Sequence, residues 1–420
     1  MTTINAEVIT IGDEILYGQI TDTNTQWLSA ELSKIGIKTI RKSSVGDQKE
    51  NIITILKEAT ERASLIILTG GLGPTNDDIT KKTIAEFCNF SLVMNPEVLS
   101  DVRALFERRG KAMNPIHELQ ALIPEKSTAL RNHWGTAPGM WIPYQDKIII
   151  SLPGVPYEMK GIMNDYGLQA IRNHFKPPNI QHQIIRTAGI GESVIAELIQ
   201  SWEENLPSYL SLAYLPSFTQ VKLRITGQHH DEVFLTKEMQ KHTEMLKHIL
   251  SPIHVYAWQD ISIEEHIGKL LNEQNKSLSI AESCTGGFTQ HLITSIPGSS
   301  KYFKGGIVSY SNEIKSSLIQ VPEDLLIKHG AVSDEVAKAM AIGALTQFKT
   351  DYAISVTGIA GPDGGTADKP VGLVWMCFAS KDGLVYSKSY QFGVHRDVNI
   401  RNSAYTLLNL LRLGIENKLS

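Results

Sequence analysis

The sequence predicts an α/β protein of three domains. Short apolar runs alternate with segments of helical periodicity at both ends of the chain, and glycine-rich loops follow several of those runs. The alternation breaks near residue 175, at Lys176-Pro177-Pro178-Asn179, where consecutive prolines read as a linker. With 420 residues the chain exceeds what one core serves, since domains average about 150 residues.

In the first domain, residues 1–175, the apolar run 8–11 reads as a strand. Trp27, Leu28, Leu32 and Ile35 then recur at helical spacing. A second strand is expected over 37–45 and a helix over 51–62, leading into 65–68, an unbroken apolar run typical of a buried parallel strand. Gly70 and Gly71 end it. This βαβαβ order describes a doubly wound sheet, in which ligands bind at the carboxyl ends of the strands. Gly12 and Gly70 both fall at such ends.

Residues 176–257 read as a small α+β module: a strand from 183, a helix over 192–202, two strands joined across 215–219, a long helix to 250 and a last strand. It is poor in motifs, as expected of a spacer or a dimer element. In the third domain, residues 258–420, alternation resumes. Helices are expected at 263–272, 285–294 and 334–348 and from Arg396, and strands at 278–281, 306–310, 352–357, 373–378 and 385–392.

Composition excludes several classes. The net charge of −4 and the scattered Lys and Arg leave no nucleic-acid footprint. Three dispersed cysteines, Cys88, Cys284 and Cys377, are too few for a disulfide framework or a four-ligand zinc site, which suits a reducing cytoplasm. Residues 1–7 are polar and lack a signal-peptide pattern, and no run approaches the roughly 20 apolar residues of a membrane span. A soluble cytoplasmic protein is expected.

In the third domain Glu282-Ser283-Cys284-Thr285-Gly286-Gly287 lies between a strand and a helix, where an α/β protein exposes a side chain. Free N–H groups at 285–287 could stabilise an oxyanion or hold a phosphate. The plainer reading is a helix cap by Ser283 or Thr285. Downstream, Asn312 is the expected cap of a short helix that carries Lys315 one turn in. A lysine serves as a base only when burial or neighbours lower its pKa, and is otherwise a solvated charge. Thr357, Gly358 and the loop to Gly365 follow a buried-looking strand and suit close approach to a ligand. Arg396 and Arg401 offer guanidinium forks for a phosphate, or are two exposed arginines.

In the first domain Gly12, Asp13, Glu14 and Asn24 follow the first strand, and Gly70, Gly71, Gly73, Thr75, Asp77 and Asp78 follow the third. Both loops should meet at one crevice. Glycines let backbone N–H groups approach phosphates, while Asp13, Asp47, Asp77 and Asp78 supply oxygens suited to a hard divalent metal. Asp77 and Asp78 could instead cap the helix that follows.

The segments AESCTGG, GGIVSYSNEIK, HGAVSDEV, VTGIAGPDGG and KPVG, with Arg396 and Arg401, resemble in order the nicotinamide-nucleotide amidohydrolase domain of the CinA family over about 150 residues. The first domain resembles the molybdopterin-binding fold of MoaB and MogA proteins in its CinA version, supported by GTAPGM at 135–140 and LPGVPYEM at 152–159. The resemblance implies Ser283 as nucleophile, Lys315 as base and Tyr310 as its helper, with Thr285, Gly286, Thr357, Gly358, Arg396 and Arg401 around a nicotinamide mononucleotide substrate. Cys284 is the rival nucleophile. For this site the resemblance implies no cofactor. For the first domain it implies cleavage of ADP-ribose assisted by a divalent metal of the Mg or Co type, or molybdopterin binding without catalysis. It further implies a homodimer. A scaffold beside recombination proteins, with vestigial motifs, is the reading from another class.

Overall fold

A computed structural model describes residues 4–75 and 78–419, which fall into two compact units divided between 181 and 182, with 228–236 joining the first unit. The first unit carries strands β1 (Asn5–Ile11), β2 (Lys38–Val45), β3 (Leu65–Thr69), β4 (Leu92–Met94), β5 (Leu122–Pro124), β6 (Thr128–Leu130), β7 (Gly139–Tyr144) and β8 (Lys147–Leu152). Six of them form a sheet in the order β2-β1-β3-β8-β7-β6, parallel from β2 to β8 and antiparallel beyond. The apolar runs are continuous because both faces are covered. Val8, Leu65, Ile67 and Ile150 pack with Leu28 and Leu32 of the helix Thr23–Lys34, while Ile9, Ile66, Leu68 and Ile149 pack with Ile52 and Leu56 of the helix Lys49–Arg62. Each such side chain contributes about 1.5–3 kcal/mol by leaving water. β1 starts three residues ahead of its apolar run. Glu7, though fully buried, is tolerated there because Arg62 Nε and Nη2 each donate to its carboxylate at 3.1 Å.

The strand order reverses direction at β1, so the ends of β1 and β3 diverge into loops and leave a crevice. Gly70 closes its floor at φ +120, and a Cβ there would lie 2.1 Å from the Ile11 carbonyl oxygen. Gly70→Ala should therefore cost about 3 kcal/mol, the sum of a forbidden backbone and an overpacked contact. Gly18→Ala is the control. Its φ is +69 but nothing lies within 4 Å, so about 1 kcal/mol is expected. Chemical denaturation followed by circular dichroism checks the difference, and equal costs would contradict the close approach.

In the second unit, the middle module begins with β9 (Asn179–Ala188), which starts within the first unit, and continues through β10 (Leu210–Ser217), β11 (Gln220–His229) and β12 (Val255–Ala257). The sheet order is β10-β11-β9-β12, with helices Glu192–Glu204 and Glu232–Ile249. The following sheet comprises β13 (Leu278–Glu282), β14 (Phe303–Val308), β15 (Tyr352–Gly358), β16 (Leu373–Ser380) and β17 (Val385–Gln391), in the order β14-β13-β15-β16-β17. β14, β13 and β15 are parallel, and β16 and β17 are antiparallel additions.

One face of this sheet packs Ile280, Ile354, Met376 and Phe378 against Ile267 and Leu271 and against Leu407 and Leu411 of the helix Arg396–Ile415. The other face is lined by Ala281, Ala353 and Ala379 against Ala337, Ala341 and Ala344 of the helix Asp334–Phe348. Small residues on both sides bring that helix close to the strands. No described helix is long and apolar enough to cross a membrane.

Candidate active site

Ser283 directly follows β13, and its N–H donates to Val356 O of β15 at 3.0 Å. The strand pairing thus fixes the serine at the carboxyl edge of the sheet. The chain then turns through Gly286 at φ +60 and Gly287 at φ +96, so the helix starts at Phe288 rather than at 285. Two left-handed glycines delay it. The expected pool of free N–H groups is smaller than the sequence suggested, because Glu282 fills the helix terminus. Its fully buried carboxylate accepts from the N–H of Gly287 at 3.2 Å, Thr289 at 3.1 Å and Gln290 at 2.8 Å. The phosphate role expected at this helix start is therefore blocked at Gly287. Among the described residues neither the Cys284 nor the Thr285 N–H donates to a backbone carbonyl, and the buried Thr285 hydroxyl has no partner.

Lys315 reaches the serine from the far side. It is only 1% exposed, and its Nζ donates to Ser283 Oγ at 3.1 Å, Ser309 O at 2.6 Å and Tyr310 O at 3.2 Å. β14 ends at Val308, earlier than expected, which leaves those two carbonyls free for the ammonium. The cap of the short helix is Ser311, whose Oγ accepts from Ile314 N at 3.3 Å, and not Asn312. Burial pushes the Lys315 amine down from 10.5 to about 8, against a smaller opposing effect from Cys284. Burial pushes the Cys284 thiol up to about 12, although that residue adjoins the serine. Cys284 packs instead into the hydrophobic core.

The remaining expected residues divide. Tyr310 meets Lys315 through its carbonyl, while its phenol is 62% exposed and accepts from Arg396 Nη2 at 3.3 Å. Arg396 Nη1 donates to Gly361 O at 2.8 Å, which ties the last helix to the glycine loop. Thr357 is buried and spends its hydroxyl proton on Ala331 O at 2.8 Å. At Gly358 a Cβ would strike Val374 at 2.6 Å, so this glycine serves strand packing. Arg401 stands apart from this hydrogen-bonded set, with its Cζ over the rings of Phe218 and Phe288. Asn399 was not singled out from the sequence. It is buried and donates to Ala360 O and Gly393 O, holding the glycine loop against the helix.

The first unit has a cleft of about 550 Å³ at the ends of β1, β3 and β8, lined among others by Gly12, Glu14, Asn24, Gly70, Gly71 and Gly73. Asn24 is buried and donates to Thr69 Oγ1 at 3.0 Å and Gly154 O at 2.8 Å, and its Oδ1 has no partner. Glu158, from the LPGVPYEM segment, also lines the cleft, where Asn132 Nδ2 donates to it at 2.7 Å.

Of the four expected metal carboxylates, Asp13, Asp47 and Asp78 lie among the described residues, and Asp47 and Asp78 both line the cleft. Asp78 Oδ2 accepts from Thr75 N at 3.0 Å and from the Thr75 hydroxyl, closing its own loop. Asp77 lies outside the described residues. Asp13 and Asp47 do adjoin, the Asp13 N–H donating to Asp47 Oδ2 at 3.2 Å. Among the described residues no three metal-capable side chains cluster. Even so, among the described residues the cleft is lined by Glu14, Asp22, Asp47, Asp78 and Glu158 and by no Lys, Arg or His. That charge suits a divalent cation shared with ligand phosphates, since Mg-type ions need only one or two protein carboxylates.

Fold and geometry define a two-site α/β protein, with one glycine-lined acidic cleft and one buried Ser–Lys pair, each at the carboxyl ends of parallel strands. Family profiles match along the chain: a "Probable molybdopterin binding domain" over residues 7–173, a "Damage-inducible protein CinA KH domain" over 182–257 and a "CinA C-terminal domain" over 260–414. A CinA-like protein of Cytophaga hutchinsonii is 49% identical across 98% of this chain and 98% of its own. Another, of Flavobacterium psychrophilum, is 41% identical across 97% and 98%. The crystal structure of the competence/damage inducible protein CihA from Agrobacterium tumefaciens is 35% identical, covering 37% of this chain and 93% of that one at a TM-score of 0.36. The chain belongs to the CinA family.

Proposed function

We propose that the carboxy-terminal domain hydrolyses the carboxamide of nicotinamide mononucleotide, and that the first domain cleaves ADP-ribose between its phosphates. The observation that carries the first activity is the 3.1 Å contact between the buried Lys315 amine and Ser283 Oγ. Neutral Lys315 takes the Ser283 proton as Oγ adds to the amide carbon. The N–H groups of Cys284 and Thr285 stabilise the oxyanion, in the place such donors occupy after a nucleophile. Lys315 returns the proton to the leaving nitrogen, ammonia departs, and an acyl-enzyme remains. Water, deprotonated by the same amine, releases nicotinic acid mononucleotide and regenerates Ser283. The substrate's identity rests on the motif resemblance, and Arg396 and Arg401 are the groups proposed to face its phosphate.

In the first domain the cleft lined by the glycines at 12, 70, 71 and 73 would take a diphosphate, and Asn24 Oδ1 would accept a donor from the ligand. Asp47 and Asp78, which line the cleft, would hold a divalent cation, which when bound neutralises the phosphates and polarises the bond between them. Chromatography of both reactions tests the pair of activities. Ammonia with nicotinic acid mononucleotide is expected from the first substrate, and AMP from ADP-ribose only when Mg or Co ions are added. Without ammonia the scaffold reading gains. Without AMP under any divalent metal, the cleft is a binding site for a molybdopterin-like ligand.

A further inference from the structure

The two-residue turn between β10 and β11 places Phe218 at φ +52, a left-handed position where glycine or asparagine is the economical choice. A bulky aromatic there stores strain, and this one is also 49% exposed. Neither feature helps the hairpin fold. The ring is accounted for by what it touches: Tyr405 stacks on it at 5.5 Å with a 17° interplanar angle, and Arg401 Cζ lies 5.5 Å from its centroid. The same Arg401 Cζ lies 5.5 Å from the ring of Phe288, the first residue of the helix that follows Ser283 and its turn.

Contact with two rings engages the faces of a guanidinium and leaves its N–H donors, which radiate in its plane, available. Among the described residues no ion pair or hydrogen bond claims those donors. A long cationic side chain held in place with its hydrogen bonds unspent is prepared for an anion. We propose that Phe218, from the middle module, is a positioning residue of the amidohydrolase site, holding Arg401 to receive the phosphate of the nucleotide substrate. The middle module is thereby a part of the substrate site and not only a spacer. This rests on the amidohydrolase reading for the reaction but on the stacking alone for the coupling.

The effect falls on binding, because the phosphate is remote from the bond that reacts. Phe218→Ala and Phe218→Gly should each raise KM for nicotinamide mononucleotide roughly three- to tenfold with kcat within about twofold, and Phe218→Tyr should restore it. Phe218→Gly keeps the test sound. It relieves the left-handed position, so thermal unfolding should occur no lower than in the wild type. In an Arg401→Ala background, Phe218→Gly should change KM no further, since the two act as one unit. An unchanged KM in Phe218→Gly, or effects that multiply in the double variant, would overturn the role of Phe218. Calorimetry of nicotinamide mononucleotide on the Ser283→Ala protein, with and without Phe218→Gly, reads the coupling without turnover. Weaker binding with Phe218→Gly supports it and equal affinity overturns it, whereas a wild type that releases no ammonia overturns the amidohydrolase reading alone.

Discussion

Ser283→Ala should abolish ammonia release from nicotinamide mononucleotide, by roughly 10³-fold or more, while Cys284→Ala should retain activity within a few-fold. The two residues are neighbours, and on intrinsic reactivity the thiol would be favoured. Environment reverses that order. With its thiol pushed up to about 12 by burial, Cys284 stays protonated at pH 7, and the side chain is packed among core residues. Ser283 Oγ instead meets an amine that is itself shifted toward neutrality. Removing the sulfur from position 284 leaves a small void, at a cost of about 1 kcal/mol, and leaves in place the backbone N–H proposed to hold the oxyanion. Steady-state ammonia assays on the two variants decide the matter, and substantial turnover by Ser283→Ala would end the assignment.

What the sequence made legible follows its periodicities. The unbroken run of β3 and the alternation of the last domain announced sheets covered on both faces, because burial dictates residue type along a whole element. The Ser283 junction was visible for the same reason, as an apolar strand followed by glycines. Individual side chains were harder to read, because a short polar residue near a turn has several partners within reach. Glu282 could have been an acid in solvent and instead occupies three N–H groups of a helix. Asp78 was legible as a ligand or a cap, and its Oδ2 accepts from Thr75 N, a contact neither reading foretold. The contact of Phe218 with Arg401 joins residues 183 positions apart, and no local pattern in either segment records it. Lys315 is the instructive case: its residue type and spacing gave a surface charge as readily as a base, and its burial against two main-chain carbonyls excludes the solvated surface charge.

That burial has two consequences at different pH. For the proposed reaction the neutral amine is the active form, so kcat should rise about tenfold per unit of pH below about 8 and level off above it. Lys315→Arg keeps a cation that cannot give up its proton, and should lose activity by roughly 10³-fold, as Lys315→Met should. A base predicts this result, whereas a purely electrostatic role would let arginine substitute. For stability, the folded chain holds this proton less tightly than the unfolded chain, whose amine keeps its ordinary 10.5. The penalty is therefore fully present below about 8 and fades as pH rises toward 10.5, so the wild type gains stability across that window. Lys315→Met has no such proton to lose. The stability difference between wild type and Lys315→Met should shift in favour of the wild type between pH 8 and 10.5, by on the order of 2–3 kcal/mol less whatever the lost hydrogen bonds offset. Denaturant unfolding of both proteins at a series of pH values measures it. A difference that stays flat across the window would mean that the amine is solvated in the folded protein, and a solvated amine would be protonated at neutral pH and unable to deprotonate Ser283.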